Sequence, residues 1–221
     1  MRVTQGSHVV IHSAAYADAA SDWQRSADAA IEELCLRMDM PLPRQRAIAL
    51  VFESRARLID YLREECPKQM NSAAACFEKK GQFIIAARRH MSDARTRREI
   101  RHEAAHFAIA SQFADVPPWL DEGLAQLAEH GIVQAHGEAE AISGRELLRD
   151  PAVAELIALR PGAQLSRRQY ALARMTTRRL LACPEGAKNV KRYLSEARSD
   201  RDPEEQFIEC FGKRSKSTPV P

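Results

Sequence analysis

His102-Glu103-Ala104-Ala105-His106 decides how this chain is read, together with Trp119-Leu120-Asp121-Glu122-Gly123-Leu124-Ala125 a short way downstream. Asp93-Ala94-Arg95-Thr96 offers helix-capping residues, and Ile100, Ala104, Phe107, Ala108 and Ser111 keep a helical spacing through the pentad. Residues four apart on a helix stack on one face, so His102 and His106 present two imidazoles one turn apart, while Glu103 is turned about 100° away, toward where water on a metal would sit. Val116-Pro117-Pro118 ends that helix and starts another, on which Asp121 and Glu122 follow His106 by fifteen and sixteen residues. A third ligand is thus available, and two imidazoles with a carboxylate beside them suit zinc.

The two segments together, HExxH and then W-L-x-E-G-x-A-x-x-x-E ending at Glu129, resemble the signature of gluzincin, or peptidase MA-like, zinc metallopeptidases. The resemblance implies that His102, His106 and Glu122 bind Zn2+, that Glu103 is the catalytic general base, and that Glu129, two turns after Glu122, supports a ligand from behind. It also implies an α+β, zincin-like fold: a small mixed sheet with helices at the N-terminus, a mostly helical C-terminal lobe, and a zinc cleft between them. The corresponding division is 1-93 for the lobe with the substrate-side sheet, 94-214 for the helical lobe, and 215-221 for a disordered tail.

The rest of the chain fits that order. His8 to His12 reads as a strand, and Trp23, Ala27, Ala30, Ile31, Leu34 and Met38 mark a helix over 18-38 that Pro41 and Pro43 end. Ala47 to Phe52 is a buried strand, followed by a helix capped at Ser54 with Leu58, Ile59 and Leu62 inward. Ala73 to Phe77 and Gln82 to Ala87 form a hairpin through Glu78-Lys79-Lys80-Gly81, its second strand near the metal helix. In gluzincins an edge strand of this sheet holds the substrate through backbone hydrogen bonds. Helices follow at 144-148, 167-182 and 187-197, separated by Pro151, Pro161-Gly162 and Pro184-Glu185-Gly186, and a closing helix ends in Phe211-Gly212-Lys213 as the family's commonly does.

The expected activity is hydrolysis of a peptide bond. Zinc lowers the pKa of water to about 7, and Glu103 takes the proton as the water attacks a carbonyl, then passes it to the leaving amine. The developing oxyanion needs a further donor. The family's later helix often reads Tyr-x-x-x-aromatic-Ala-Leu, its first Tyr reaching the site. Here Ser166-Arg167-Arg168-Gln169-Tyr170-Ala171-Leu172 puts Ser166 in that place and leaves Tyr170 as the candidate oxyanion stabiliser. The departure keeps an alternative open, a zinc-binding pseudopeptidase that holds peptides or a protein partner without cutting them. Endopeptidase action is expected, because the hairpin around Ala74-Ala75-Cys76-Phe77 carries no acidic anchor for a substrate amine.

Composition sets bounds on this reading. The chain has 221 residues, 45% of them hydrophobic, enough for a substantial core. No run approaches the roughly 20 apolar residues that span a bilayer, so a soluble, cytoplasmic protein is expected, or an exported one if an upstream leader is missing. The five cysteines, Cys35, Cys66, Cys76, Cys183 and Cys210, read as buried hydrophobes, with Cys66 and Cys76 near enough to bridge in an oxidising compartment. Arginines 88, 89, 95, 97, 98 and 101 invite a nucleic-acid reading. With a net charge of only +3 and no interleaved aromatics, a solvated helix face is expected there and nucleic acid is not an expected partner. His130 and His136 are alternative third ligands, although Gly131 and Gly137 beside them suggest exposed turns; Gln126 is either placed to orient a ligating His or a plain polar helix position; and His8, His12 and His90 read as surface or strand residues.

Overall fold

A five-stranded mixed sheet organises the first half of the chain, in a computed structural model that describes residues 2-14, 17-70, 72-131, 142-183 and 185-212. His136, Pro184, Lys213 and the 215-221 tail lie outside the described residues. The strands are β1 (Arg2–Gln5), β2 (Val9–Ser13), β3 (Ala47–Phe52), β4 (Ala74–Lys79) and β5 (Gln82–Arg88), in the order β1-β2-β3-β5-β4. The pairs β2/β3 and β3/β5 are parallel, whereas β1/β2 and β5/β4 are antiparallel. Both outer positions are therefore taken by hairpin partners, and β4 is an edge. The class is α+β, with a mostly helical remainder.

The chain divides into two compact units. The first comprises Met1–Cys35, Pro41–Gln112 and Ala128–His130, the second Leu36–Met40, Phe113–Leu127 and Gly131–Pro221.

In the first unit, the apolar positions of helix α1 (Ala17–Arg37) that the spacing picks out, Trp23, Ala27, Ala30, Ile31 and Leu34, are fully buried. α1 also supplies the anchor of the β1–β2 turn. Asp28 accepts backbone hydrogen bonds from Ser7 (2.7 Å), His8 (3.0 Å) and Val9 (3.1 Å), and Gly6 is needed there because a Cβ would stand 2.6 Å from the same carboxylate. β1 is absent from the sequence reading. Its residues, Arg-Val-Thr-Gln, are exposed or half-exposed at the sheet edge and carry no apolar alternation to reveal them. His8 precedes β2 instead of opening it, and is buried with Nε2 3.6 Å from Glu32.

Ser54 caps α2 (Arg55–Glu65), and Leu58 and Leu62 face inward as the spacing predicts, whereas Ile59 is only half-buried. Leu58 and Leu62 pack with Ala75 and Ala86 on one face of the sheet, where Cys66 also sits. A 3-10 turn at Pro67–Gln69 leads to the β4–β5 hairpin, whose two-residue loop, Lys80-Gly81, has positive φ at both positions. Successive side chains of a strand point to opposite faces, so Cys76 is turned away from Ala75, Phe77 and Cys66. Cys66 and Cys76 therefore stand on opposite sides of the sheet, and no disulfide joins them.

Helix α3 (Asp93–Ala110) carries the HExxH pentad and packs on β4 and β5, with the Phe83 and Phe107 rings 5.2 Å apart. At its start His90 is not a surface residue: its Nε2 lies 2.6 Å from Glu99, its N–H donates to Thr96 Oγ1, and it is buried. A local contact of this kind leaves no trace in periodicity.

The second unit holds most of α4 (Pro118–Glu129), then α5 (Gly144–Leu147), α6 (Pro151–Ile157), α7 (Arg167–Ala182), α8 (Gly186–Glu196) and α9 (Pro203–Phe211). Sequence reading takes Pro151 as a separator, but it opens α6. Asp150 caps the backbone of Ala152, and proline at the first helical position loses nothing because that N–H has no helical partner. The core here is aromatic, with Trp119, Tyr193, Phe207 and Phe211 in mutual contact, and burial drives the Tyr193 hydroxyl far above its ordinary pKa. Burial also pushes the Cys210 thiol up to about 11. No described helix is long and apolar enough to cross a membrane.

Asp28 gives a direct test of the turn. Asp28→Ala strands the donors it holds and should cost about 2–4 kcal/mol in denaturant unfolding, while Asp28→Asn, which keeps one acceptor, should cost about half as much. A loss under about 0.5 kcal/mol for Ala would mean that water replaces the carboxylate.

Candidate metal centre

Two adjacent residues of α3 take hold of the last turn of α4. Arg101 Nε donates to the Ala128 carbonyl (2.8 Å), and the same guanidinium reaches Glu33 (2.8 Å) and the Ser26 carbonyl (3.3 Å). A helix C-terminus has carbonyls without helical donors, and the guanidinium supplies one. His102 Nδ1 meets Glu129 Oε1 at 2.8 Å. A carboxylate only accepts, so this contact places the proton on Nδ1 and leaves the Nε2 lone pair pointing the other way.

That lone pair faces His106. The two rings meet edge to face, centroids 4.7 Å apart, with Nε2 to Nε2 at 3.0 Å. Glu122 completes the set: among the described residues, ligand atoms of His102, His106 and Glu122 all lie within 4.8 Å of one another. The donors fit zinc in kind and nearly in spacing. Two imidazole nitrogens on a tetrahedral zinc stand about 3.3 Å apart, close to the 3.0 Å seen, and the carboxylate, on a longer stem, is the donor able to close the wider span. Glu103, next to His102 in sequence, is buried.

Glu122 is itself held. Gln126, one turn on, donates from Nε2 to Glu122 Oε1 (3.2 Å) and with its second hydrogen to the Tyr170 carbonyl (2.9 Å). The sequence suggests that Gln126 orients a histidine, but it orients the carboxylate. The i to i+4 spacing is the signal for the pairing, while the link to α7 joins residues 44 apart in sequence and has none. Gly123 lets α7 come close: a Cβ there would stand 2.1 Å from Thr177 Oγ1 and 2.8 Å from the Ala173 carbonyl.

The remaining candidates fall outside the ligand set. His130 is half-exposed, 3.8 Å from Glu129 Oε2, and is not one of the grouped donors. Ser166 caps α7 in a box with Gln169. Tyr170, in the first turn of that helix, is 43% exposed, and the contact it lends to Gln126 comes from its backbone.

Gly123→Ala tests the α4–α7 approach. Alanine raises helix propensity by about 1 kcal/mol in open positions, so a net loss of about 1–3 kcal/mol in thermal unfolding would report the clash. Thr177→Ala in the same protein should recover part of the loss. A stabilised Gly123→Ala would rule the close approach out.

Comparison with protein-family models, curated proteins and solved structures finds no match for this chain, so the functional reading rests on the side chains described above.

Proposed function

We propose that this protein is a zinc-dependent peptide-bond hydrolase of gluzincin type with a zincin-like fold. The observation that carries the reading is the gathering of His102, His106 and Glu122 within 4.8 Å, with Glu103 buried next to His102 and Glu129 fixing the His102 tautomer. A structural site has no need of a base beside its ligands. Zinc would supply Lewis acidity and lower the pKa of water to about 7.

The chain's own residues would do the rest. Glu103 takes the proton of the attacking water on its carboxylate and delivers it to the leaving amine nitrogen. Glu129 stabilises charge gathering on His102, and Gln126 keeps Glu122 aimed. β4, an edge strand against α3, offers backbone groups to an extended peptide, which accounts for binding without a fixed sequence. Endopeptidase action fits the Ala74-Ala75-Cys76-Phe77 stretch of that strand, which carries no acidic anchor for a free amine.

One observation favours a second reading, a zinc-binding pseudopeptidase. Ser166 stands where the resemblance to gluzincins often places a tyrosine and is spent on capping α7, so oxyanion stabilisation falls to Tyr170.

Elemental analysis and peptide-library cleavage separate the two. One zinc per chain should bind the wild type and be lost in Glu122→Ala. Gln126→Leu should weaken binding about 10–100-fold while leaving the metal-free protein folded. Glu103→Gln should keep the metal and abolish cleavage. Full zinc occupancy with no cleavage of any peptide would select the pseudopeptidase, and absence of zinc would end both readings.

A further inference from the structure

α7 is charged in one sense only. Its 16 residues, RRQYALARMTTRRLLA, contain five arginines and no acid. Some arginines elsewhere are paired: Arg97, Arg101, Arg192, Arg198 and Arg201 each lie within 3.1 Å of a carboxylate oxygen. Among the described residues Arg167, Arg168 and Arg174 have no such partner, and all three are exposed.

The charge is also placed where the helix resists it. Arg167 and Arg168 occupy the first turn, whose unpaired N–H groups already carry partial positive charge, and no acidic residue offsets them. Surface helices usually mix both signs, and a local choice that opposes stability points to a use in binding.

Position supplies the use. At about 100° per residue, Arg167 and Arg174 fall within about 20° of one another, in a row beside Tyr170. The Tyr170 carbonyl and Glu122 share one donor, Gln126 Nε2, so the row begins within a side chain's length of the candidate ligand. An extended peptide advances about 3.3 Å per residue, which brings side chains two to four positions from a bond held at Glu122 alongside these guanidinium groups. A guanidinium matches a carboxylate in charge and in planar geometry.

We propose that the Arg167–Arg174 face of α7 is a docking surface for acidic peptide segments, and that the substrates are peptides with Asp or Glu two to four residues from the cleaved bond. The proposal rests on the hydrolase reading for the bond cut, while the docking itself does not require cleavage.

Two measurements keep these apart. In a degenerate peptide library the wild type should favour Asp and Glu over Lys and Arg at flanking positions by about five- to tenfold, and the Arg167→Gln/Arg174→Gln protein by less than about twofold. Arg167→Lys/Arg174→Lys should keep most of the preference, and Arg174→Glu should reverse it. Removing charge from the first turn relieves the helix dipole, so the glutamine variant should melt no lower than wild type. Separately, anisotropy of a fluorescein-labelled glutamate-rich peptide on zinc-loaded Glu103→Gln protein should show binding that weakens with salt and is lost in the arginine variant. Cleavage without acidic preference overturns the docking and leaves the hydrolase standing. Salt-sensitive peptide binding through α7 without cleavage by any form overturns the hydrolase and leaves the docking standing. Displacement of the peptide by a lower concentration of short single-stranded nucleic acid overturns the peptide as occupant.

Discussion

The grip of Arg101 and His102 on the last turn of α4 is the constraint from which the candidate site follows. A helix is stiff over two turns, so Ala128 and Glu129, held by Arg101 and His102, keep a fixed offset from the residues that precede them in α4. Glu122, seven residues earlier, lies about 10 Å up the axis and on nearly the same face as Glu129. One face of α4 therefore carries both Glu129, which meets His102 Nδ1, and Glu122, which is grouped with His102 and His106. The arginine matters because it satisfies the α4 terminus and the Glu33 carboxylate together, so its charge is compensated and its fork is filled.

Much of this was legible because helices and strands advertise their buried faces. Trp23, Ala27, Ala30, Ile31 and Leu34 are a helical stripe in sequence and a buried one in space, and the β4–β5 hairpin announces itself through Lys80-Gly81. The grouping of His102, His106 and Glu122 was legible for another reason, since these residue types stand at particular helical offsets in the sequence. What escaped has physical causes. β1 has no apolar face, because it is a short edge strand against β2 alone. α6 begins with the proline that ordinarily signals an end, and only the preceding Asp150 marks it as a start. The burial of His90 depends on Glu99 and Thr96, and the link from Gln126 to Tyr170 on packing across 44 residues. None of these contacts has a period.

Two arginine-rich stretches show how the same composition can mean different things. In α3 three of the four arginines are turned to structure: Arg97 meets Asp22, Arg101 meets Glu33, and Arg95 lies 3.4 Å from Glu99. The Asp22 carboxyl, with Arg25 and Arg97 beside it, is held below the usual carboxylate range. In α7 the helix has no acid of its own. Sequence alone ranks the first stretch as the better candidate for an anionic partner, since its arginines are as dense and stand beside the pentad. The ion pairs reverse that order, because a charge already neutralised by a neighbour costs more to redirect toward a ligand than one facing water.

α4 carries three separate demands on its twelve residues. Glu122, Gln126 and Glu129 share one face, as offsets of four and seven require. Gly123, turned about 100° from Glu122, must remain small for α7 to approach. Trp119, Leu120, Leu124, Ala125 and Ala128 are fully buried. Glycine inside a helix lowers its stability by about 1 kcal/mol relative to alanine, and this one stands beside the candidate ligand. That weakness is tolerable because hydrogen bonds at the C-terminal turn and packing around the helix hold it in place. The same close approach that requires Gly123 also brings the Tyr170 carbonyl to Gln126. A larger residue at 123 would therefore act on Glu122 twice, by moving α7 away and by freeing the amide that aims the carboxylate.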